Sequence, residues 1–200
     1  MINDLPGLPK MPHHEIHPGQ QYACAGTELI STLLGSCVAA CLYDPVAGVA
    51  GMNHFLLANR RYSRSMPLTQ SEAGRYGVNA MELLINQLLH LGADRRRLHA
   101  KVFGGGTVLT TLSRDNFLCV GEVNGRFIRE FLKDEGIPIE SEDLGGKQGR
   151  VIKFRTDTFT VYRRFIRPAG TALIELQEHG YWQKAITAHT KEEEKIILFK

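Results

Sequence analysis

The sequence predicts a mixed α/β fold in a single domain of ordinary globular composition. Two observations carry this prediction: apolar runs separated by turn signals fill residues 21–57, and a helix-period pattern follows over residues 74–91. The 200 residues are 43% hydrophobic and 22% charged, which suits one domain with a sizeable core. We therefore expect strands first, and then helices that alternate with further strands.

The first strands are predicted at residues 21–24, 28–33, 37–43 and 49–57. Gly26, Gly35 and the pair Asp44-Pro45 interrupt these runs, and they are residue types that favour turns. The runs are almost continuously apolar rather than alternating. This pattern predicts strands that are buried on both faces.

Two helices are predicted, over residues 74–91 and 125–136. Apolar residues recur at three- and four-residue steps in both, and Gly92 follows the first helix as its C′ residue. The remaining strands are predicted at residues 98–103, 137–142, 151–155 and 158–165.

The predicted elements divide the chain into three segments. Residues 1–19 contain four prolines, a density that excludes a helix or an inner strand, so we expect an extended N-terminal arm. Residues 20–166 hold the predicted strands and helices and form the domain. Residues 167–200 form a C-terminal extension.

Charge and hydropathy exclude several classes of partner. The formal net charge of +3, from 24 basic and 21 acidic residues, is too balanced to indicate nucleic acid. No apolar stretch approaches the ~18 residues of a membrane span, so no membrane insertion is expected. The N-terminus lacks the basic region and apolar core of a signal peptide. We therefore expect a cytoplasmic protein whose four cysteines are reduced.

A cysteine and a histidine stand out around the predicted turn at residues 44–48. Cys37 follows the Gly35-Ser36 turn, and His54 lies near the end of the next apolar run. If the two strands form a hairpin, these side chains lie near the same end of it. A thiolate and an imidazole are the minimal apparatus of nucleophilic acyl transfer. Cysteine and strand histidine are also common core residues, so a purely structural role stays open.

Metal and nucleotide sites are not favoured by the spacing. Cys37 and Cys41 would lie ~13 Å apart along a strand, too far to share one zinc ion. The glycines Gly104, Gly105 and Gly106 lack the Gly-Lys-Ser/Thr ending of a phosphate-binding loop. A turn that a substrate backbone can approach closely fits them better, because glycine has no Cβ. We expect no metal and no cofactor.

The chain resembles the CheD family of chemoreceptor glutamine deamidases from about His17 to about Phe165. The motifs that carry the likeness are Leu34-Gly-Ser-Cys-Val-Ala-Ala-Cys, Asp44-Pro, Gly51-Met-Asn-His-Phe-Leu-Leu, Arg75-Tyr-Gly, Ala80-Met-Glu-Leu-Leu-Ile-Asn, Ala100-Lys-Val-Phe-Gly-Gly-Gly and Glu142-Asp-Leu-Gly-Gly. The resemblance implies hydrolysis of glutamine side-chain amides on chemotaxis receptors, and binding to a CheC-type phosphatase. It also implies a β-sandwich-like, mixed-sheet core with flanking helices, similar to toxin-type cysteine deamidases.

By position, the resemblance implies Cys37 as the nucleophile and His54 as the base. The family's third residue, a threonine six positions before the cysteine, corresponds to Ser31, and we expect Thr32 to point to the other face of the strand. The family's Ile-Gly-x-Arg-Asn segment is Val120-Gly-Glu-Val-Asn here, so Val123 replaces an arginine.

Substrate contacts are expected at two places. Backbone N–H groups at Ser36 and Cys37 are candidates for the oxyanion site. The Gly104–Gly106 turn and the polar loop at residues 59–73 are candidates for receptor and phosphatase recognition.

Two other functions remain open at this point. A non-catalytic regulatory module would bind the receptor or the phosphatase without hydrolysis. A transglutaminase-like enzyme would transfer the acyl group to an amine instead of water.

Overall fold

Two β-sheets and two long α-helices form most of the part of the chain that the computed structural model describes. That part comprises residues 10–57, 72–107 and 120–166, together with Leu176, Glu178, Gly180 and Tyr181, which are helical. The strands, in chain order, are β1 (His13–Glu15), β2 (Gln21–Ala25), β3 (Leu29–Leu34), β4 (Val38–Asp44), β5 (Val49–Asn53), β6 (His99–Gly104), β7 (Ile139–Leu144), β8 (Arg150–Arg155) and β9 (Thr160–Phe165). The helices are α1 (Glu72–His90) and α2 (Val120–Asp134).

Each sheet combines parallel and antiparallel pairs. The four-stranded sheet has the order β1-β3-β8-β9, and only its β1–β3 pair is parallel. The five-stranded sheet has the order β2-β5-β4-β6-β7, and only its β6–β7 pair is parallel. The predicted mixed α/β class is confirmed. No helix in the described part of the chain is long and apolar enough to span a membrane.

Two layers of apolar side chains lie on opposite faces of the five-stranded sheet. On β4, Val38, Ala40 and Leu42 pack toward the two helices. Ala39 and Cys41 point the other way, into a core shared with the four-stranded sheet. Both faces of this strand are covered, which explains its continuous apolar sequence. Each large side chain buried in these layers contributes about 1.5–3 kcal/mol to folding.

The turn between β4 and β5 is built on Asp44. Its Oδ1 accepts hydrogen bonds from the backbone N–H groups of Val46 and Ala47, at 2.9 and 3.1 Å. Arg97 lies 2.8 Å from the same buried carboxylate, which balances its charge. Asp44 therefore makes the tight connection that aligns the two strands, and the predicted hairpin is confirmed.

Several boundaries differ from the predicted ones for physical reasons. Residues 13–15 of the predicted arm form an edge strand, a position that proline-rich chain can occupy. Helix α2 begins at Val120 rather than at residue 125. Gly121, a poor helix former, obscured this start. It is needed there because a Cβ on it would meet the carbonyl oxygens of Gly105 and Gly106.

Candidate active site

Cys37 and His54 point into the same layer of the molecule. Val38 and Phe55 exchange two backbone hydrogen bonds, of 3.0 and 2.9 Å, which continue the β4–β5 pairing beyond β5. With Val38 opposite Phe55, residue 54 lies opposite residue 39, diagonal to Cys37 and on the same face of the pair. The side chains are 0% and 1% exposed. The hairpin thus brings the two predicted residues to the same end, as expected.

The hydrogen bonds of His54 fix which ring nitrogen carries the proton. Thr32 Oγ1 lies 2.7 Å from His54 Nδ1 and donates its single hydroxyl proton to the carbonyl of Ile16, also at 2.7 Å. The hydroxyl can therefore only accept from the ring, so Nδ1 is the protonated nitrogen. Nε2 keeps its lone pair, is buried, and has no hydrogen-bond partner among the described residues. Nε2 is the available base.

The prediction that Ser31 contacts His54 is wrong. Alternation along β3 puts Thr32 on the face of Ile30 and Leu34, which line the core between the sheets. Ser31 faces the opposite side, and its Oγ lies 2.7 Å from His13 Nε2. Every residue of β3 is buried, so the sequence offered no polar–apolar alternation from which to assign the faces.

The Gly35-Ser36-Cys37 turn binds a carboxylate from the C-terminal extension. The N–H groups of Gly35 and Cys37 donate to Glu178 Oε1, at 2.9 and 3.0 Å. The Ser36 N–H and hydroxyl donate to Oε2, at 3.0 and 2.5 Å. Successive backbone N–H groups that converge in this way form an anion-binding nest. We call this group of donors the amide nest. Glu178 belongs to no motif, so no pattern in the sequence indicates its role.

Asn124 on α2 connects the two halves of the site. Its Nδ2 donates to the Ser36 carbonyl at 2.8 Å, and its Oδ1 accepts from the Leu57 N–H at 2.9 Å. It is fully buried. The sequence did carry a signal here, because a polar residue stands on the buried stripe of a helix, next to Val120 and Phe127.

The glycines predicted to contact substrate hold the cysteine turn in this structure, and their contact with substrate stays a prediction. Gly105 N–H donates to the Cys37 carbonyl and Gly106 N–H to the Gly35 carbonyl, each at 2.7 Å. A Cβ on Gly104 would collide with the Cys37 carbonyl oxygen. Gly104, Gly105 and Gly106 are buried, so the backbone that approaches them is the chain's own. The second predicted recognition segment, residues 59–73, lies outside the described residues except for the start of α1.

Thiol and imidazole are both held in their neutral forms. Burial raises the pKa of the Cys37 thiol well above its ordinary value, and the Glu178 carboxylate raises it further by its charge and by a hydrogen bond with the thiol. Burial lowers the pKa of His54 from 6.5 to about 3, and nearby His17 lowers it further. Both shifts disfavour a thiolate–imidazolium pair in this buried site, because neither charge is solvated.

The arrangement supplies the parts of an acyl-transfer site. It has a thiol, a neutral imidazole with a free Nε2, and converging N–H donors of the kind that stabilise an oxyanion. Within residues 10–57, 72–107 and 120–166, no group of three or more His, Cys, Asp or Glu side chains is placed to hold a metal ion. This set of groups is typical of enzymes that use a cysteine nucleophile.

Comparisons with known proteins place the chain in a family. Residues 56–165 match the family CheD, described as chemotactic sensory transduction. The chain belongs to the CheD family. It is 51% identical to a Geobacter sulfurreducens protein named probable chemoreceptor glutamine deamidase CheD 1, over 92% of both chains. It is 50% identical to probable chemoreceptor glutamine deamidase CheD 2 of Shewanella oneidensis, over 83% of both.

A solved structure, the hypothetical protein YfiH of Bacillus licheniformis, is a much weaker match. It covers 57% of this chain and 45% of that chain, at a TM-score of 0.31 and 15% identity. This likeness is too distant to bear on fold or function.

Proposed function

We propose that this protein is a chemoreceptor glutamine deamidase that acts in chemotaxis adaptation through a Cys37 thioester. The observation that carries the proposal is the placement of Cys37 and His54 on one face of the hairpin, beside the amide nest. Family membership and the names of the relatives suggest the substrate: a glutamine side chain of a chemotaxis receptor.

The first half-reaction forms the thioester. His54 Nε2 takes the thiol proton of Cys37, and the sulfur attacks the side-chain carbonyl carbon of the receptor glutamine. The amide nest holds the developing oxyanion through the N–H groups of Gly35 and Cys37. His54 then returns the proton to the amide nitrogen, the carbon–nitrogen bond breaks, and ammonia leaves.

The second half-reaction releases glutamate. His54 Nε2 takes a proton from water, and the hydroxide oxygen attacks the thioester carbon. The carbon–sulfur bond breaks, and the thiol of Cys37 recovers the proton. Thr32 acts as a positioning residue throughout, because its hydroxyl accepts from Nδ1 and so keeps the lone pair on Nε2.

Mass spectrometry of cognate receptor peptides tests this function. The wild-type protein should convert glutamine to glutamate, and Cys37→Ala should not. Ammonia release measured with and without an added primary amine separates hydrolysis from transglutaminase-like transfer. Conversion by the Cys37→Ala protein would contradict the mechanism. A folded wild-type protein that binds receptor without converting it would favour the non-catalytic module. The burial of Cys37 and the raised pKa of its thiol are consistent with that alternative.

A CheC-type phosphatase is the proposed protein partner, and the cytoplasm the proposed location. The partner would inhibit by occupying the substrate cleft. Under this proposal, increasing receptor concentration relieves inhibition without changing the maximal rate. A bulky replacement of Gly105 would not test whether receptor and phosphatase bind the same surface. A Cβ at residue 105 would lie 2.8 Å from the Gly121 carbonyl oxygen, so the replacement would also disturb the fold. Similarity of the core to toxin-type deamidases stays a prediction.

A further inference from the structure

The amide nest already holds a ligand that belongs to the chain itself. Glu178 is 2% exposed, and its two carboxylate oxygens accept the three N–H groups and the hydroxyl of the turn. A buried carboxylate is costly unless donors of this kind compensate it, so the contact is specific. No step of the proposed mechanism uses Glu178.

The bound group has the chemistry of the reaction product. Glutamine hydrolysis leaves a glutamate side chain, and Glu178 presents that side chain to Cys37. Oε1 occupies the oxyanion position, between the N–H groups of Gly35 and Cys37. Oε2 occupies the position of the oxygen that replaces the amide nitrogen, beside Ser36 Oγ. Ser36 Oγ can therefore accept a hydrogen bond from the leaving nitrogen of a substrate and donate one to the new oxygen of its product.

We propose that Glu178 is an intramolecular product mimic: the C-terminal segment occupies the subsite for the receptor's glutamyl side chain and must leave before a receptor glutamine enters. The identity of that subsite rests on the proposed function. The occupancy of the amide nest by Glu178 does not rest on the proposed function, because the hydrogen bonds alone show it. The ligand class of the nest is a glutamyl side chain; the carboxylate accepts from all four donors, whereas a carboxamide nitrogen at the second position could donate to Ser36 Oγ but could not accept from the Ser36 N–H.

A second contact of the same segment lies at Gly19, next to the backbone of His54. The ring of Tyr181 packs against Gly19, so closely that a Cβ at Gly19 would lie 2.6 Å from it. Gly19 in turn donates its N–H to the His54 carbonyl at 2.8 Å. The segment therefore contacts the cysteine turn through residue 178 and the chain beside the histidine through residue 181.

Occupancy also keeps the nucleophile unreactive. Burial is the main reason that the pKa of the Cys37 thiol is raised, and the charge of Glu178 and its hydrogen bond with the thiol raise it further. When the segment leaves, both influences disappear and the thiol becomes accessible. A receptor that displaces the segment thus meets a more reactive cysteine.

Alkylation of Cys37 by iodoacetamide tests occupancy without requiring deamidase activity. In the full-length protein, Glu178→Ala should raise the alkylation rate at Cys37, read by peptide mapping, severalfold, because the thiol loses both the group that occupies the nest beside it and a carboxylate that favours its protonated form. Tyr181→Ala should raise it in the same direction. Leu176→Ala is the matched control in the same segment, since Leu176 is 73% exposed, and it should leave the rate unchanged. Equal rates in wild type and Glu178→Ala would overturn the proposal.

Self-conversion tests the product pose. Glu178→Gln places a carboxamide in the nest, and water should replace its nitrogen, releasing ammonia and restoring glutamate at position 178. Mass spectrometry should find the acid in Glu178→Gln and the amide in the Cys37→Ala/Glu178→Gln double variant. An amide that persists in a Glu178→Gln protein active on receptor peptides would overturn the product pose. If no peptide is converted by any form, the proposed function fails instead, and the alkylation result still decides occupancy.

Discussion

Thr32 and His54 are joined by a hydrogen bond of 2.7 Å that connects the four-stranded sheet to the end of the β4–β5 hairpin. The bond is directional, because the threonine hydroxyl gives its proton to Ile16 and must accept from the ring. One buried hydroxyl thus selects the tautomer of the imidazole and leaves Nε2 as the base.

This relationship predicts different effects at two adjacent hydroxyls. His54→Ala should reduce the deamidation rate by about 10²–10⁴-fold, the usual contribution of a positioned acid–base group. Thr32→Val, which keeps the shape and removes the hydroxyl, should lower kcat, but by less than His54→Ala does. Thr32→Ser, which keeps the hydroxyl, should have a kcat close to that of wild type. Ser31→Ala should be close to wild type. A Ser31→Ala protein as impaired as Thr32→Val would contradict the assignment.

Cys37 should be the only described cysteine that activity requires. Cys41 is the matched control, because it lies four residues further on the same face and is also fully buried. Cys37→Ala should abolish conversion of receptor peptides, whereas Cys41→Ala should retain it with a modest loss of stability. Peptide mass and urea unfolding measure the two properties. Loss of activity in a stably folded Cys41→Ala protein would argue against a single nucleophile.

The low pKa of His54 makes the fold sensitive to acid. The unfolded imidazole binds a proton below about pH 6.5, whereas the buried ring resists protonation down to about pH 3. Between these values the unfolded state binds more protons, so the free energy of unfolding falls as the pH is lowered. Urea unfolding across this window should show a shallower dependence in His54→Gln.

The stability cost of close packing against Cys37 can be measured separately from the cost of backbone strain. Gly104 and Gly92 both have positive φ, at 114° and 102°, but only Gly104 has a neighbour where a Cβ would stand. Alanine at either position should cost about 1–3 kcal/mol from the backbone conformation. Gly104→Ala should lose more stability, and also activity, because it displaces the Cys37 carbonyl. If Gly104→Ala and Gly92→Ala lower the free energy of unfolding in urea equally, the close contact of residue 104 with the Cys37 carbonyl adds nothing to the cost of the substitution.

Asn124 should matter for both stability and rate. Asn124→Ala removes the hydrogen bonds to the Ser36 carbonyl and from the Leu57 N–H, which should cost about 1–3 kcal/mol. The cysteine turn and the chain after His54 would then be free to shift, so kcat should fall as well. Exposed Asn79 on α1 is the control, and Asn79→Ala should change neither measurement. A stable, fully active Asn124→Ala protein would contradict the positioning role.

The sequence predicted most of the secondary structure because its signals are local. Turn residues such as Asp44 and Gly92 mark the ends of strands and helices. The apolar residues that recur at helical spacing in α1 and α2 are the ones that pack into the core. The β4–β5 hairpin follows from one short turn, so the proximity of Cys37 and His54 was also predictable. Where a local signal was weak, as at Gly121, a boundary moved by five residues.

The sequence by itself determined the mixed α/β class, the hairpin and the cysteine–histidine pair, since each depends on residues close together in the chain. Only the tertiary structure decided which hydroxyl contacts His54. Both faces of β3 are buried, so its sequence has no alternation of polar and apolar residues from which the faces could be assigned. Only the tertiary structure showed that Gly104–Gly106 hold the cysteine turn, and that Glu178 fills the amide nest. The latter contact joins residues more than 140 positions apart, and no local propensity records a partner at that separation.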